Sequence, residues 1–331
     1  MQQLLPRLSV LFSLIIVLFV LVAPFIIPGT INPDYPGYKA IYEMKGAWLG
    51  DRKFSLFIQF NSWHSSNFSS YEGFRLVIHS LSTGLFLVLL GLVFHKKKYF
   101  GVIVGLALFS IFFTRNVVLL RESLSFLIFM IGVLIFIFGR PKNFSKLTGI
   151  IFLYFAPLFH VGILTLLLPL LIRKLLYLIS ENSVKIILIA IIGTFVYAFY
   201  SEITSESIRL IGREAADSGW SLFSLMFFTY NCALAYLIRR ETVAIVSLRA
   251  KEIMASWHVF VVFPALLMMF LFRTFEIPTF VLASVARAFD MGLHAIVLIY
   301  LFSSRKISLT MYIFLLLLFA KSIFELRHFN F

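Results

Sequence analysis

The chain has 331 residues, of which 61% are hydrophobic and only 13% charged, with 40 phenylalanines. Soluble domains are about half apolar and a quarter charged, so this composition excludes an ordinary soluble protein. It points to an all-α polytopic membrane bundle, because the period-2 alternation of a β-barrel is absent. The formal net charge of +14 suggests lipid headgroups and anionic lipid-linked ligands as partners, and no nucleic-acid module is present. The single Cys232 excludes an intrachain disulfide and a cysteine metal cluster.

The excess of Lys and Arg in cytoplasmic loops threads the spans. Residues 9–27 form the first, too long for a signal-peptide core and without a clear cleavage site. A polar segment at about 28–70 follows on the outer side. Spans two (74–94) and three (99–113) flank a cytoplasmic stop, His95-Lys96-Lys97-Lys98. Span four, 122–138, ends at Arg140, Lys142 and Lys146. The block 147–172 has basic residues on both flanks, which favours two short legs meeting near Pro157 and His160, with His160 near the outer face. Such an interruption is tolerated only where the backbone is buried in protein or lines a wet cavity. Span seven (184–200) leads to a second outer loop at about 201–220. Later spans are separated by Arg239-Arg240, by a turn with Arg273 and Glu276, and by Arg305-Lys306. About eleven crossings result, within a range of 10–12 helices, and residues 1–331 are expected to form one polytopic domain.

The basic residues on the outer side are mostly arginine: Arg52, Arg75, Arg115, Arg121, Arg209, Arg213, Arg273, Arg287 and Arg327. Topology needs only charge, which lysine supplies, whereas bidentate recognition of phosphate needs the guanidinium fork. The stretch 115–125, RNVVLLRESLS, lies where one span ends and the next begins. The first amides of the second helix would join Arg121 in binding an anion, or the arginines would snorkel to headgroups. Arg287 and Asp290, three apart, form either a neutralised pair inside the bundle or a ligand contact.

Carboxylates beside aromatic rings suit sugars, and Asp34, Tyr35, Tyr38, Tyr42 and Glu43 supply both; an ordinary proline-rich turn with interfacial tyrosines is the alternative. Glu72 and Arg75 share a helical face and either pair together or leave Glu72 as a base. His160, in a Phe159-His160-Val161-Gly162 break, is either a hydrogen-bonded structural residue or a catalyst. No glycine-rich nucleotide loop, zinc motif or Walker sequence occurs, so no cofactor or metal is expected and either an activated ligand such as a lipid diphosphate or an ion gradient would supply the energy.

Asp34-Tyr35 with Tyr38, Glu72-Gly73-Phe74 opening span two, Arg121-Glu122-Ser123-Leu124 opening span four, and the Phe159-His160 break together resemble the EpsG/Wzy-type polysaccharide polymerase family. The resemblance covers about the first half of the chain, and the family usually places a small residue and alanine after its arginine. It implies a metal-independent C-type glycosyltransferase-like bundle in the bacterial inner membrane. Such a protein polymerises O-antigen-like units carried on undecaprenyl diphosphate at the periplasmic face. A chain-length regulator and a flippase of the same pathway are the partner proteins implied. Asp34, Glu72 or His160 would be the base and Arg121 would stabilise the departing diphosphate. Arg115, Arg209, Arg213 and Arg287, with Tyr35 and Tyr38, would bind substrate. A ligase using the same donor, and a lipid-linked oligosaccharide flippase, are the rival expectations.

Overall fold

The computed structural model describes residues 4–27, 35–44, 56–68, 70–94, 110–112, 120–139, 142–178, 221–243, 245, 247–275, 279–304 and 307–326. Asp34, Arg115, Arg209, Arg213, the second outer loop, the expected span seven and most of span three lie outside the described residues. Among those described, every regular element is helical. Five helical stretches are long and apolar enough to cross a membrane: Tyr71–Leu89, Leu120–Phe138, Leu222–Thr242, Leu248–Thr274 and Val285–Ser303. Shorter apolar stretches run over Leu14–Ala23, Asn143–Phe159, Val161–Arg173 and Leu309–Ile323. The chain is a helical membrane protein.

Two compact units divide it, Met1–Ile163 with Leu301–Phe331, and Leu164–Tyr300. The first holds α1 (Leu4–Ile26), α2 (Tyr35–Glu43), α3 (Leu56–Asn67), α4 (Tyr71–Phe94), α5 (Leu120–Phe138) and α6 (Lys142–Phe159). In the second, α7 (Leu164–Leu178), α8 (Leu222–Val243), α9 (Leu248–Trp257) and α10 (Phe263–Thr274) are followed by α11 (Thr279–Ser303). The last helix, α12 (Leu309–Leu326), belongs to the first unit. Leu11, Leu14, Ile15, Leu18 and Phe19 stand exposed along α1, an apolar face of the kind that meets lipid.

The first unit is built on α5, which is buried on every side from Glu122 to Leu134. A helix apolar all round belongs in the centre of a bundle. Its closest neighbour is α6, joined by a short connection and therefore antiparallel. At their crossing two glycines replace side chains. A Cβ on Gly132 would meet Phe152 Cβ at 2.8 Å and the Gly149 carbonyl at 3.1 Å. A Cβ on Gly149 would meet Phe136 Cβ at 2.8 Å. Small residues let membrane helices approach closely enough for backbone contact.

At the far end of this hairpin the Ser125 hydroxyl donates to the Ala156 carbonyl at 2.7 Å. Here α6 stops. Pro157 has no N–H to offer the carbonyl one turn back, and the helix lasts only to Phe159. After His160 a 3₁₀ turn, Val161–Ile163, precedes α7. The expected interruption of the block 147–172 therefore falls at His160.

The second unit has its own irregularity. Between α9 and α10 lies a π turn, His258–Val262, in which the Phe263 amide donates to the His258 carbonyl. Pro264 follows immediately; its ring would crowd the carbonyl one turn back in a regular helix, and the wider turn accommodates it. Trp257 Nε1 donates to the Leu166 carbonyl at 2.9 Å, tying α9 to α7. Arg173 adds donations to the Glu252 carbonyl and, at 3.1 Å, to Ser256 Oγ.

Candidate functional site

In the segment expected to be a polar, proline-rich stretch, the structure places two helices. Tyr35, Tyr38 and Tyr42 sit at i, i+3 and i+7, the spacing of one helical face, and Pro36 falls in the first turn, where a missing N–H costs nothing. Tyr38 and Tyr42 are buried. On α3 the buried set is Phe57, Ile58, Asn61, His64 and Ser65, again a helical stripe. The start of α4 contributes Tyr71, Phe74 and Ile78, and α5 contributes Leu120; these residues form one cluster with Tyr38, Tyr42 and Phe57, and Phe60 and Phe159 pack against it.

Arg121 lies in the first turn of α5 and its guanidinium rests on this cluster. The Cζ atom is 5.4 Å from the centre of the Tyr38 ring and 5.8 Å from that of Phe57. Ring faces attract cations, by about 0.5–2 kcal/mol depending on desolvation. They do not satisfy N–H groups in the guanidinium plane, and Arg121 Nε is buried with no hydrogen-bond partner. No carboxylate among the described residues pairs with it. Leaving a buried donor unpaired costs about 1–3 kcal/mol. The arrangement holds a planar cation by its faces and keeps an edge donor short of an acceptor.

Asn61 is a second case, and sequence reasoning passed over it. It is 1% exposed, and its Nδ2 has no hydrogen-bond partner. Phe57, Ile58, Asn61, His64 and Ser65 repeat at i, i+1, i+4, i+7 and i+8, so the helical stripe was readable. Nothing in the sequence said that its polar members would be the buried ones.

Glu72 is committed elsewhere. Its Oε2 lies 2.7 Å from Arg75 Nε, and the buried Arg75 also donates through Nη1 to the Ile27 carbonyl at 3.4 Å. The same Nη1 sits 3.3 Å from His79 Nε2; arginine only donates, so His79 Nε2 accepts. Glu72 thus neutralises an arginine that ties α4 to the end of α1.

His160 is held by its own loop. Its Nδ1 accepts the Gly162 amide at 2.9 Å, so in the neutral ring the proton is on Nε2. Ser125 brings this residue to the α5 end that carries Arg121, its hydroxyl lying 3.4 Å from the His160 carbonyl. Tyr38 belongs to the aromatic cluster and Arg121 rests on it, while Glu72 lies between its members Tyr71 and Phe74 in the chain and His160 follows Phe159, which packs against it. Arg287 stands exposed on α11 in the second unit. Tyr35 opens α2, but its side chain lies outside the described residues.

Beside the cluster a groove of about 580 Å³ is lined by Lys39, Tyr42, Glu43, Ser65, Asn67 and Tyr71, among others. Tyr42 and Tyr71 are shared with the cluster, and the other lining residues bring hydroxyl, amide and charged groups, with Lys39 and Glu43 3.7 Å apart. Among the described residues no group of His, Cys, Asp and Glu is placed to hold a metal. No family model matches the chain, and no curated protein or solved structure shows significant similarity to it.

Proposed function

We propose that this chain is a polysaccharide polymerase similar to the EpsG/Wzy type, working as a metal-independent C-type glycosyltransferase in the bacterial inner membrane. It moves a growing glycan from undecaprenyl diphosphate to a sugar hydroxyl of the next lipid-linked unit at the periplasmic face. The observation that carries this reading is Arg121: a guanidinium seated on two aromatic faces, with no carboxylate partner among the described residues and a buried Nε lacking an acceptor.

In the reaction the acceptor hydroxyl oxygen forms a bond to the anomeric carbon of the donor as the bond from that carbon to the diphosphate oxygen breaks. Negative charge grows on the diphosphate, and a preorganised cation in a water-poor site stabilises it as it forms. Arg121 is the group suited to this, with Arg115, Arg209, Arg213 and Arg287 as the other arginines the reading assigns to substrate. The groove beside Tyr42 and Tyr71 has the mixture of ring faces and hydrogen-bonding groups that sugars need. The acceptor proton must go to a base. Glu72 is occupied by Arg75, and His160 would have to give up the Gly162 amide to offer Nδ1. Asp34, one residue before α2, is the base this reading prefers.

A lipopolysaccharide gel tests the proposal in a strain lacking the gene and carrying Arg121→Ala. Core plus one repeat unit, without the ladder above it, is expected. Core alone with long lipid-linked glycan accumulating would mean a ligase instead. Core alone with single units trapped on the cytoplasmic side would mean a flippase. A normal ladder at equal protein level would remove Arg121 from the site.

A further inference from the structure

A buried amide with an unmet donor weakens a fold, and an apolar side chain of similar size would avoid that cost. Asn61 is such an amide, 1% exposed with Nδ2 unpartnered. Its polar neighbours on the buried face of α3 are satisfied: His64 pairs with Tyr42 at 2.9 Å, and Ser65 donates to the Ser62 carbonyl at 3.0 Å.

Phe57 connects Asn61 to Arg121. The Arg121 guanidinium lies over the Phe57 ring at 5.8 Å. Asn61 is one turn further along the same buried stripe, and side chains four apart on a helix are neighbours, about 5–6 Å between their Cβ atoms. Of two buried donors without acceptors, Arg121 Nε and Asn61 Nδ2, the first thus belongs to a guanidinium over the Phe57 ring and the second lies one helical turn along the face that carries that ring. Both atoms lack the same thing, an oxygen that accepts, and the guanidinium charge makes an anionic oxygen the best fit.

We propose that Asn61 and Arg121 together form a two-donor site for phosphoryl oxygens, in which the amide positions the anion that the guanidinium neutralises. Resting on the assignment of Arg121 to a diphosphate, this adds a neutral second donor. A second cation would hold the product harder without any gain in orientation. The amide strengthens the contact at fixed charge.

The test uses the full-length chain in nanodiscs, with farnesyl diphosphate and inorganic pyrophosphate as probes and thermal unfolding measured alongside. Asn61→Leu should unfold at the parent temperature or above it, because the orphan amide is gone, yet bind farnesyl diphosphate about tenfold more weakly, as expected for losing one hydrogen bond to a charged group. Asn61→Asp keeps the shape and places a carboxylate beside Arg121, so it should weaken binding further by competing with the ligand. Tighter binding of farnesyl diphosphate than of pyrophosphate would identify a lipid-linked ligand, and equal binding a free anion; both support the two-donor site. Parent-like affinity in both Asn61 variants, with Arg121→Ala defective, would overturn the role of Asn61 alone. Parent-like affinity in Arg121→Ala as well would overturn the diphosphate assignment beneath it.

Discussion

Tyr42 and His64 share a hydrogen bond of 2.9 Å whose direction is set by a third residue. The Tyr42 hydroxyl donates its one proton to the Phe68 carbonyl at 2.7 Å, so it accepts from His64, and Nδ1 of His64 is the donor. Burial pushes the Tyr42 phenol up from 10.0 and the His64 imidazole down from 6.5. Both shifts keep the pair neutral and the chain of bonds intact.

A pH dependence follows from the direction of the His64 shift. Well above the ordinary imidazole value of 6.5 the ring is neutral in the folded and the unfolded chain. Below that value the unfolded chain takes up the proton more readily than the folded one, so stability falls as pH drops. Thermal midpoints measured between pH 7.5 and pH 5 should decline in the parent and decline less in His64→Gln. An equal decline in both would show that His64 does not carry the effect. Tyr42→Phe should cost about 1–3 kcal/mol, because it leaves the Phe68 carbonyl and the His64 donor unpaired.

The glycine crossing predicts a contrast between positions. Gly132→Ala places a methyl 2.8 Å from Phe152 Cβ on a packed neighbouring helix, and overpacking of this kind costs about 1–3 kcal/mol. Gly84→Ala on α4 meets nothing within 4 Å and should be neutral or stabilise by about 0.5–1 kcal/mol, since glycine is a poor helix former. Unfolding midpoints of the two variants should move in opposite directions or only the first should move. Equal losses would mean that α5 and α6 do not cross at Gly132.

His160 can be separated into its two nitrogens. His160→Asn retains a short acceptor for the Gly162 amide but has nothing in place of Nε2, whereas His160→Ala loses both. If His160 only caps the break, His160→Asn should keep most chain extension and His160→Ala should unfold at lower temperature. Loss of extension in the asparagine variant, at parental stability, would assign a donor role to Nε2–H, such as a hydrogen bond to the departing diphosphate, and leave the base elsewhere.

Glu72→Gln tests whether that carboxylate serves the fold or the reaction. The 2.7 Å contact with Arg75 becomes one between the guanidinium and a neutral amide oxygen, and with Glu72 half exposed the lost ion pair should cost about 0.2–1 kcal/mol. A lowered thermal midpoint with polymer still formed is expected. Loss of polymer at an unchanged midpoint would make Glu72 the base.

Hydropathy and local chemistry determined much of this protein before any coordinates. Apolar runs at 74–94 and 122–138 became α4 and α5, because a membrane helix satisfies its backbone within its own segment. The interruption near Pro157 and His160 was legible from the basic residues on both flanks of 147–172, which favoured two short legs. Helices α2 and α3 were not read, since their stripes alternate tyrosine or phenylalanine with polar residues, and a stripe is called apolar only once its neighbours are known. Tertiary structure alone decided the rest. Whether Arg121 has a carboxylate or two ring faces beside it depends on residues of α2 and α3, far upstream. Whether Arg75, beyond its local partner Glu72, also ties α4 to another segment depends on where the chain leaving α1 places the Ile27 carbonyl. Pairing between distant segments is a property of packing, and packing is the part that local pattern does not encode.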